Sequence, residues 1–166
     1  MRPRPERQPP EPGQESVWDY PRPPAVDHSG ELVVVTLAGV EVARTTQPVR
    51  VLETSHPPTY YLPREDVDMD LLRPASGTSA CEWKGRATYF DLAVGDAVRP
   101  RAAWTYEDPT APFAVLAGHI AFYPQGVEAT VDGEPVRAVQ GDFYGGWVTN
   151  RVVGPFKGEV AGSMSW

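Results

Sequence analysis

Proline and glycine interrupt this chain too often for it to be built from long helices. Nineteen prolines and fifteen glycines fall among 166 residues, about a fifth of the whole. Proline inside a helix removes a backbone donor and clashes with the preceding turn, and glycine is costly to order there. Such a chain is suited to short extended runs joined by turns.

The β-branched runs supply them. Glu31 to Leu37 and Val40 to Arg44 are separated by Ala38-Gly39, a connection of hairpin length. Strict alternation would put Val40, Val42 and Arg44 on one face of that hairpin and Glu41 and Ala43 on the other. Val49 to Glu53 reads as a third strand and Thr59 to Leu62 as a fourth, with Thr54-Ser55-His56-Pro57-Pro58 between them. Asp91 to Val98 turns at Gly95-Asp96 into a strand over Val98 to Tyr106. His119 to Tyr123 is a further strand, and Asp132-Gly133 closes a hairpin between Val127–Val131 and Pro135–Val139. Pro63 to Leu72 has the best helix signal, with Pro63 at the start and Glu65 and Asp66 in the first turn. Phe113 to Leu116 offers one more helical turn. The expected fold is mainly β: a small single domain of short antiparallel strands with one or two short helices.

Three regions differ in composition. Residues 1–16 form a proline-rich stretch, with no aliphatic residue between the initiator and Gly13, and are expected to be a flexible tail. Residues 17–140 form the β domain. Residues 141–166 carry glycine and aromatic residues without helix or strand rhythm, and are expected to pack on the domain as an extension, because Phe143, Tyr144, Trp147 and Phe156 offer apolar area.

Charge and cysteine usage narrow the function classes. Fifteen basic against twenty-two acidic residues give a net charge of −7, with no basic stripe, so nucleic acid is not an expected partner. No apolar run is long enough to span a membrane, and charged residues and prolines stand where a signal peptide would be apolar, so a cytoplasmic location is expected. The single cysteine rules out an internal disulfide and a cysteine-rich zinc site. His56, His119 and Cys81 would make a zinc set by residue type, but no local spacing supports one. Asp66, Asp68 and Asp70 lack the glycine and distal glutamate of a calcium loop and read as a solvated acidic turn. No metal or cofactor is expected, and the sequence leaves the oligomeric state open.

The densest chemistry lies in Thr78 to Phe90, where Cys81, Glu82, Trp83 and Lys84 are consecutive. Read as one strand, this stretch sends Cys81, Trp83, Gly85, Ala87 and Tyr89 to one face and Glu82, Lys84, Arg86 and Thr88 to the other. Gly85 would interrupt that pattern if it marks a bulge, bringing Cys81 and Lys84 to one cavity. Cys81 is a candidate nucleophile with Lys84 or His56 lowering its pKa, or else a small buried hydrophobe. Glu53, at a strand end before a loop, is a second candidate and would form a carboxylate pair with Glu82. The catalytic candidates are therefore Glu53, Cys81, Glu82 and Lys84. Tyr60, Tyr61, Tyr89, Trp104, Tyr106, Phe122 and Tyr123 are numerous enough to line a pocket for a flat or sugar-like ligand and would equally build a core; Tyr60, Trp104, Tyr106 and Tyr123, with His56, are the candidates for ligand contact.

Four runs carry a resemblance. Val51 to Pro63, Cys81 to Tyr89, Ala102-Ala103-Trp104-Thr105-Tyr106 and Ile120-Ala121-Phe122-Tyr123-Pro124 occur in order and resemble the family known as domain of unknown function 427. The closing Gly-Asp-Phe-Tyr-Gly-Gly-Trp and Gly-Pro-Phe-Lys-Gly runs resemble the C-terminal extension of its longer members. The resemblance implies a compact β fold related to the beta-tent architecture of methionine sulfoxide reductase B and the cereblon ligand-binding domain. Relatives of that architecture often hold zinc through paired Cys-x-x-Cys motifs, which one cysteine does not supply. The family also carries a nucleotidyltransferase-like label, yet no glycine-rich phosphate loop is present here. Two readings follow: a domain that binds an unknown small molecule in an enzyme-like polar and aromatic pocket, or a non-catalytic protein-interaction module.

Overall fold

The computed structural model describes residues 6–81, 83–139 and 145–157. Thirteen strands lie among them, most in antiparallel sheets. The first hairpin is β3 (Val33–Leu37) and β4 (Val40–Thr45), turning through Ala38 and Gly39, both at positive φ. The alternation expected of β4 is re-phased in the structure. Val35 pairs with Ala43 but Thr36 with Glu41, so Val42 is an extra residue, and Val42 and Ala43 are both buried while Val40 is exposed. β11 (Glu128–Val131) and β12 (Glu134–Pro135) complete that sheet in the order β12-β11-β3-β4.

A second sheet holds β7 (Leu72–Cys81), β8 (Gly85–Val94), β9 (Ala97–Thr105) and β10 (Ile120–Phe122), in the order β10-β9-β8-β7. The continuous strand expected through Thr78 to Phe90 is instead a hairpin: Cys81 ends β7, Gly85 opens β8, and the two residues pair. Gly85 sits at φ +108, a conformation that side-chain-bearing residues rarely adopt, which is why the chain reverses there. The helix expected over Pro63 to Leu72 is replaced by two 3₁₀ turns, Arg64–Asp66 and Met69–Leu71. Between them Val67 is extended and bridges to Ala43, and the Asp68 carboxylate accepts from the Asp70 amide. A tertiary strand contact has overridden a weak local helix preference.

The third sheet, β2 (Ala25–His28), β5 (Val49–Leu52) and β6 (Thr59–Tyr61), has the order β2-β5-β6 and joins the second through reciprocal Leu62 and Ile120 backbone bonds of 2.8 and 2.9 Å. Near the chain ends, β1 (Glu15–Ser16) pairs in parallel with β13 (Val152–Val153). Alternation in the second sheet lets it serve two cores. Ile120 and Phe122 join Leu92, Val94 and the valines of β3 in one cluster, while Ala121 joins Ala87, Trp104, Val51 and Tyr61 in another. A third cluster gathers Val17, Tyr20, Val148, Val152 and Phe156. The candidate site lies against the second cluster.

Candidate functional site

The site begins with the two-residue period of β5 and β6. Val49 pairs with Tyr61, Arg50 with Tyr60 and Val51 with Thr59, so neighbouring residues of each strand look to opposite sides of the sheet. Val51, Thr59 and Tyr61 look into a cavity of about 210 Å³. Beyond β5 the chain turns through Glu53 to His56, closed by a 3.0 Å bond from the His56 amide to the Glu53 carbonyl. Ser55 occupies the position of that turn that needs positive φ, at +71. Residues from near both ends of the described chain grip the turn. The Ser55 amide donates to Val17 O at 3.0 Å, the Thr54 amide to Pro21 O at 3.2 Å, and the Lys157 amide to Ser55 O at 2.8 Å. Glu53, His56 and Pro57 thereby form one wall of the cavity.

Lys84, from the turn between β7 and β8, lines the same cavity. Thr110 fixes that turn, its amide donating to Lys84 O at 3.0 Å and its hydroxyl to Trp83 O at 2.5 Å. The Lys84 Nζ lies 6.0 Å from the Tyr61 ring centre and 5.7 Å from that of Tyr106. Aromatic faces attract a cation electrostatically at such range. Among the described residues, no carboxylate lies within ion-pairing distance of Lys84. Ala87 and Tyr89 of β8, Trp104 of β9, and Tyr106 and Tyr123 complete the walls with Gly145. Trp104 Nε1 donates to the Tyr61 hydroxyl at 3.4 Å, and the Trp104 and Tyr123 rings lie 4.4 Å apart.

Gly145 has to be glycine. A Cβ placed on it would sit 2.1 Å from Trp104 Cη2, inside any real contact. Trp147 secures the segment: its amide donates to Pro58 O at 2.8 Å, its indole to Phe122 O at 2.9 Å, and its ring stacks on Tyr60 with centres 5.1 Å apart.

Burial controls the ionisation of this site. It raises the Tyr61 and Tyr106 hydroxyl pKa values above the ordinary range, and with the nearby Tyr89 pushes that of Tyr123 up to about 12. These hydroxyls stay protonated at neutral pH and serve as donors. His56 is held below its usual value because burial disfavours the imidazolium, an effect larger than the opposing pull of Glu53 at 3.7 Å. Its Nδ1 lies 2.9 Å from Thr54 O. Arg22 approaches the Glu53 carboxylate at 3.6 Å.

The structure thus brings Glu53, His56, Lys84, Trp104, Tyr106 and Tyr123 to one cavity. Tyr60 faces the other way, buried, with its hydroxyl donating to Glu31 at 3.0 Å. Cys81 is half-buried against the second apolar cluster and does not line the cavity, and Glu82 lies outside the described residues. Asp66, Asp68, Asp70 and His119 are not among the lining residues either. Among the described residues no three His, Cys, Asp or Glu side chains gather at metal-holding distance. Tyr61 and Tyr89 belong to the aromatic set that could line a pocket or build a core, and the sequence did not separate them from core residues; Gly145 carried no site signal. The alternation of β6 would have found Tyr61 once Thr59 was placed on the cavity side.

Residues 25–133 match the family described as Domain of unknown function (DUF427), well over half the chain, and the chain belongs to that family. A search of curated proteins finds no match. The matched stretch carries Glu53, Lys84 and the tyrosine and tryptophan walls. Val17, Gly145 and Lys157, which hold or close the cavity, lie beyond it.

Proposed function

We propose that this domain binds a compact anionic small molecule bearing a flat or apolar group. Lys84 meets the anion, Glu53 and His56 meet a polar group from the turn side, and Trp104, Tyr106 and Tyr123 contact the rest. The observation that carries the reading is the Lys84 ammonium, poised over two tyrosine rings in a cavity with no described carboxylate at ion-pairing distance. A ligand anion would give the half-buried Lys84 ammonium, which has no counter-charge at ion-pairing distance among the described residues, a charge-assisted bond of about 1.5–3 kcal/mol. The cavity volume is below the range of drug-sized pockets, which favours a small ligand.

A protein-interaction module would need a contiguous apolar patch. Among the described residues the exposed large hydrophobics are Val40, Val98 and Val115, which fall on β4, β9 and the 3₁₀ segment Ala111–Leu116. The small-molecule reading is therefore the better supported of the two.

A thermal-shift screen of small carboxylates, phosphates, sugars and amino acids at matched ionic strength tests it, because a ligand that binds the folded state raises the melting temperature. Aromatic or compact anions should give the largest shifts, and Lys84→Gln should weaken them by about tenfold or more. Glu53→Gln should change which anions bind best. Shifts that survive Lys84→Gln unchanged would remove the basis for the reading.

A further inference from the structure

The wall formed by Tyr89 and Tyr123 has a second side. Both residues also line a separate hollow of about 350 Å³, together with Arg99, Arg101, Ala102 and Gln125. Its floor is an irregularity of β9: Leu92 pairs with Arg99 but Phe90 with Ala103, so β9 carries two extra residues there. Within that bulge Arg101 sits at φ +50, a left-handed conformation that non-glycine residues adopt at a cost. The Asp91 carboxylate stabilises it by accepting from the Arg101 amide at 2.8 Å. The result is that the Arg101 guanidinium is laid over the Tyr89 ring, 4.0 Å from its centre. Bulges re-aim side chains in this way beside binding sites.

Both arginines are exposed and have donors to spare. Arg101 Nη1 donates to Ser76 O at 2.9 Å and Arg99 Nη1 to Val98 O at 3.2 Å, leaving most of each five-donor fork unused. Among the described residues neither has a carboxylate within ion-pairing distance. In a chain of net charge −7, Lys84 lines the hollow on one side of the tyrosine wall and Arg99 and Arg101 line the hollow on the other, so that each hollow holds at least one cation.

We propose that the Arg99–Arg101 hollow is a second, anion-receiving lobe beside the Lys84 cavity, so that an anionic group binds on each side of the shared Tyr89–Tyr123 wall. The second group is a phosphate or carboxylate, whose geometry a guanidinium fork matches. This inference rests on the Lys84 reading for the first lobe and adds the second.

Benzoate, with one anion and one ring, probes the first lobe, and inorganic phosphate and acetate probe the second. Each is titrated alone, and benzoate is also paired with each of the other two, into the full chain at matched ionic strength with melting temperature as readout. Lys84→Gln should weaken benzoate about tenfold or more and leave phosphate unchanged; Arg99→Gln/Arg101→Gln should do the reverse. Benzoate and phosphate together should raise the melting temperature more than either alone. A larger shift from phosphate than from acetate, lost in the double variant, identifies the second group as a phosphate; the opposite ranking identifies a carboxylate. If phosphate and acetate act no differently from added chloride, or their effects survive the double variant, the second lobe is overturned while the benzoate result stands. If benzoate fails to respond to Lys84→Gln, the first-lobe reading falls instead.

Discussion

The two faces of the β2-β5-β6 sheet lie one residue apart along the chain and treat charge in opposite ways. On one face Arg50 is only 1 % exposed and fully matched. Its Nε donates to Asp27 at 2.7 Å, and its two terminal nitrogens to Glu15 at 2.9 and 3.3 Å. Arg151 extends the network to Glu15 at 3.4 Å and to Glu31 at 2.8 Å, and the Tyr20 and Tyr60 hydroxyls complete it. Burial would raise the Glu15 pKa, yet the Arg50 and Tyr20 hydrogen bonds and the arginine charges hold it below its ordinary value. On the other face, Val51 and Tyr61 help enclose a lysine that has aromatic rings for company and no described counter-charge at ion-pairing distance. The first arrangement is complete in itself and ties β1 to β5 and to Arg151, just before β13. The second is complete only with something added. Buried charge alone therefore says little about function, whereas a half-buried charge with no described counter-charge says where to look.

The most forceful way to break that comparison is to remove each cation. Arg50→Met should cost about 3 kcal/mol in chemical denaturation, because it strands Glu15 and Asp27 beside an apolar side chain. Lys84→Gln should change stability by no more than about 0.5 kcal/mol. Equal losses would erase the distinction between the two faces.

Gly145→Ala tests whether the segment beyond the family match shapes the cavity. The added methyl meets Trp104, so a loss of about 2 kcal/mol is expected, with a change in tryptophan fluorescence. A neutral substitution would mean that this segment does not press on the ring.

Ser55→Gly should stabilise the protein by about 1 kcal/mol. Positive φ costs serine more than glycine's extra chain entropy takes back, and among the described residues the buried Ser55 hydroxyl has no hydrogen-bond partner to lose. Destabilisation would show that the hydroxyl holds the Glu53–His56 turn.

His56 gives the smallest effect. Its folded pKa lies below 6.5, so between the folded value and 6.5 the unfolded chain binds more protons than the native one. The contribution of His56 to stability is present above pH 6.5 and is lost as the pH falls through that window. Denaturation of wild type and His56→Gln across it should show the steeper dependence in wild type.

The residues foretold much of this and failed at identifiable points. Strand runs were legible because β-branched residues and turn dipeptides mark them locally, as with Val33–Leu37, Ala38-Gly39 and Val40–Thr45. Glu53 and Lys84 stood out in the sequence by residue type and position, and both line one cavity. The turn at Trp83 and Lys84 was missed because alternation continues in type across it, and the positive φ of Gly85 has no other mark in the sequence than glycine itself. The Arg50 network was illegible because its members, Glu15, Asp27, Glu31, Arg50 and Arg151, are scattered along the chain and joined only by the fold. The bulge that lays Arg101 on Tyr89 depends on a two-residue mismatch between β8 and β9, which no single strand reveals.

Calorimetric titration of benzoate into wild type and Lys84→Gln, with both proteins shown to unfold at the same denaturant midpoint, tests the central claim most directly. The account predicts heat of binding in wild type and at least about tenfold weaker binding in the variant. Equal binding by both proteins, or none by either, would contradict it.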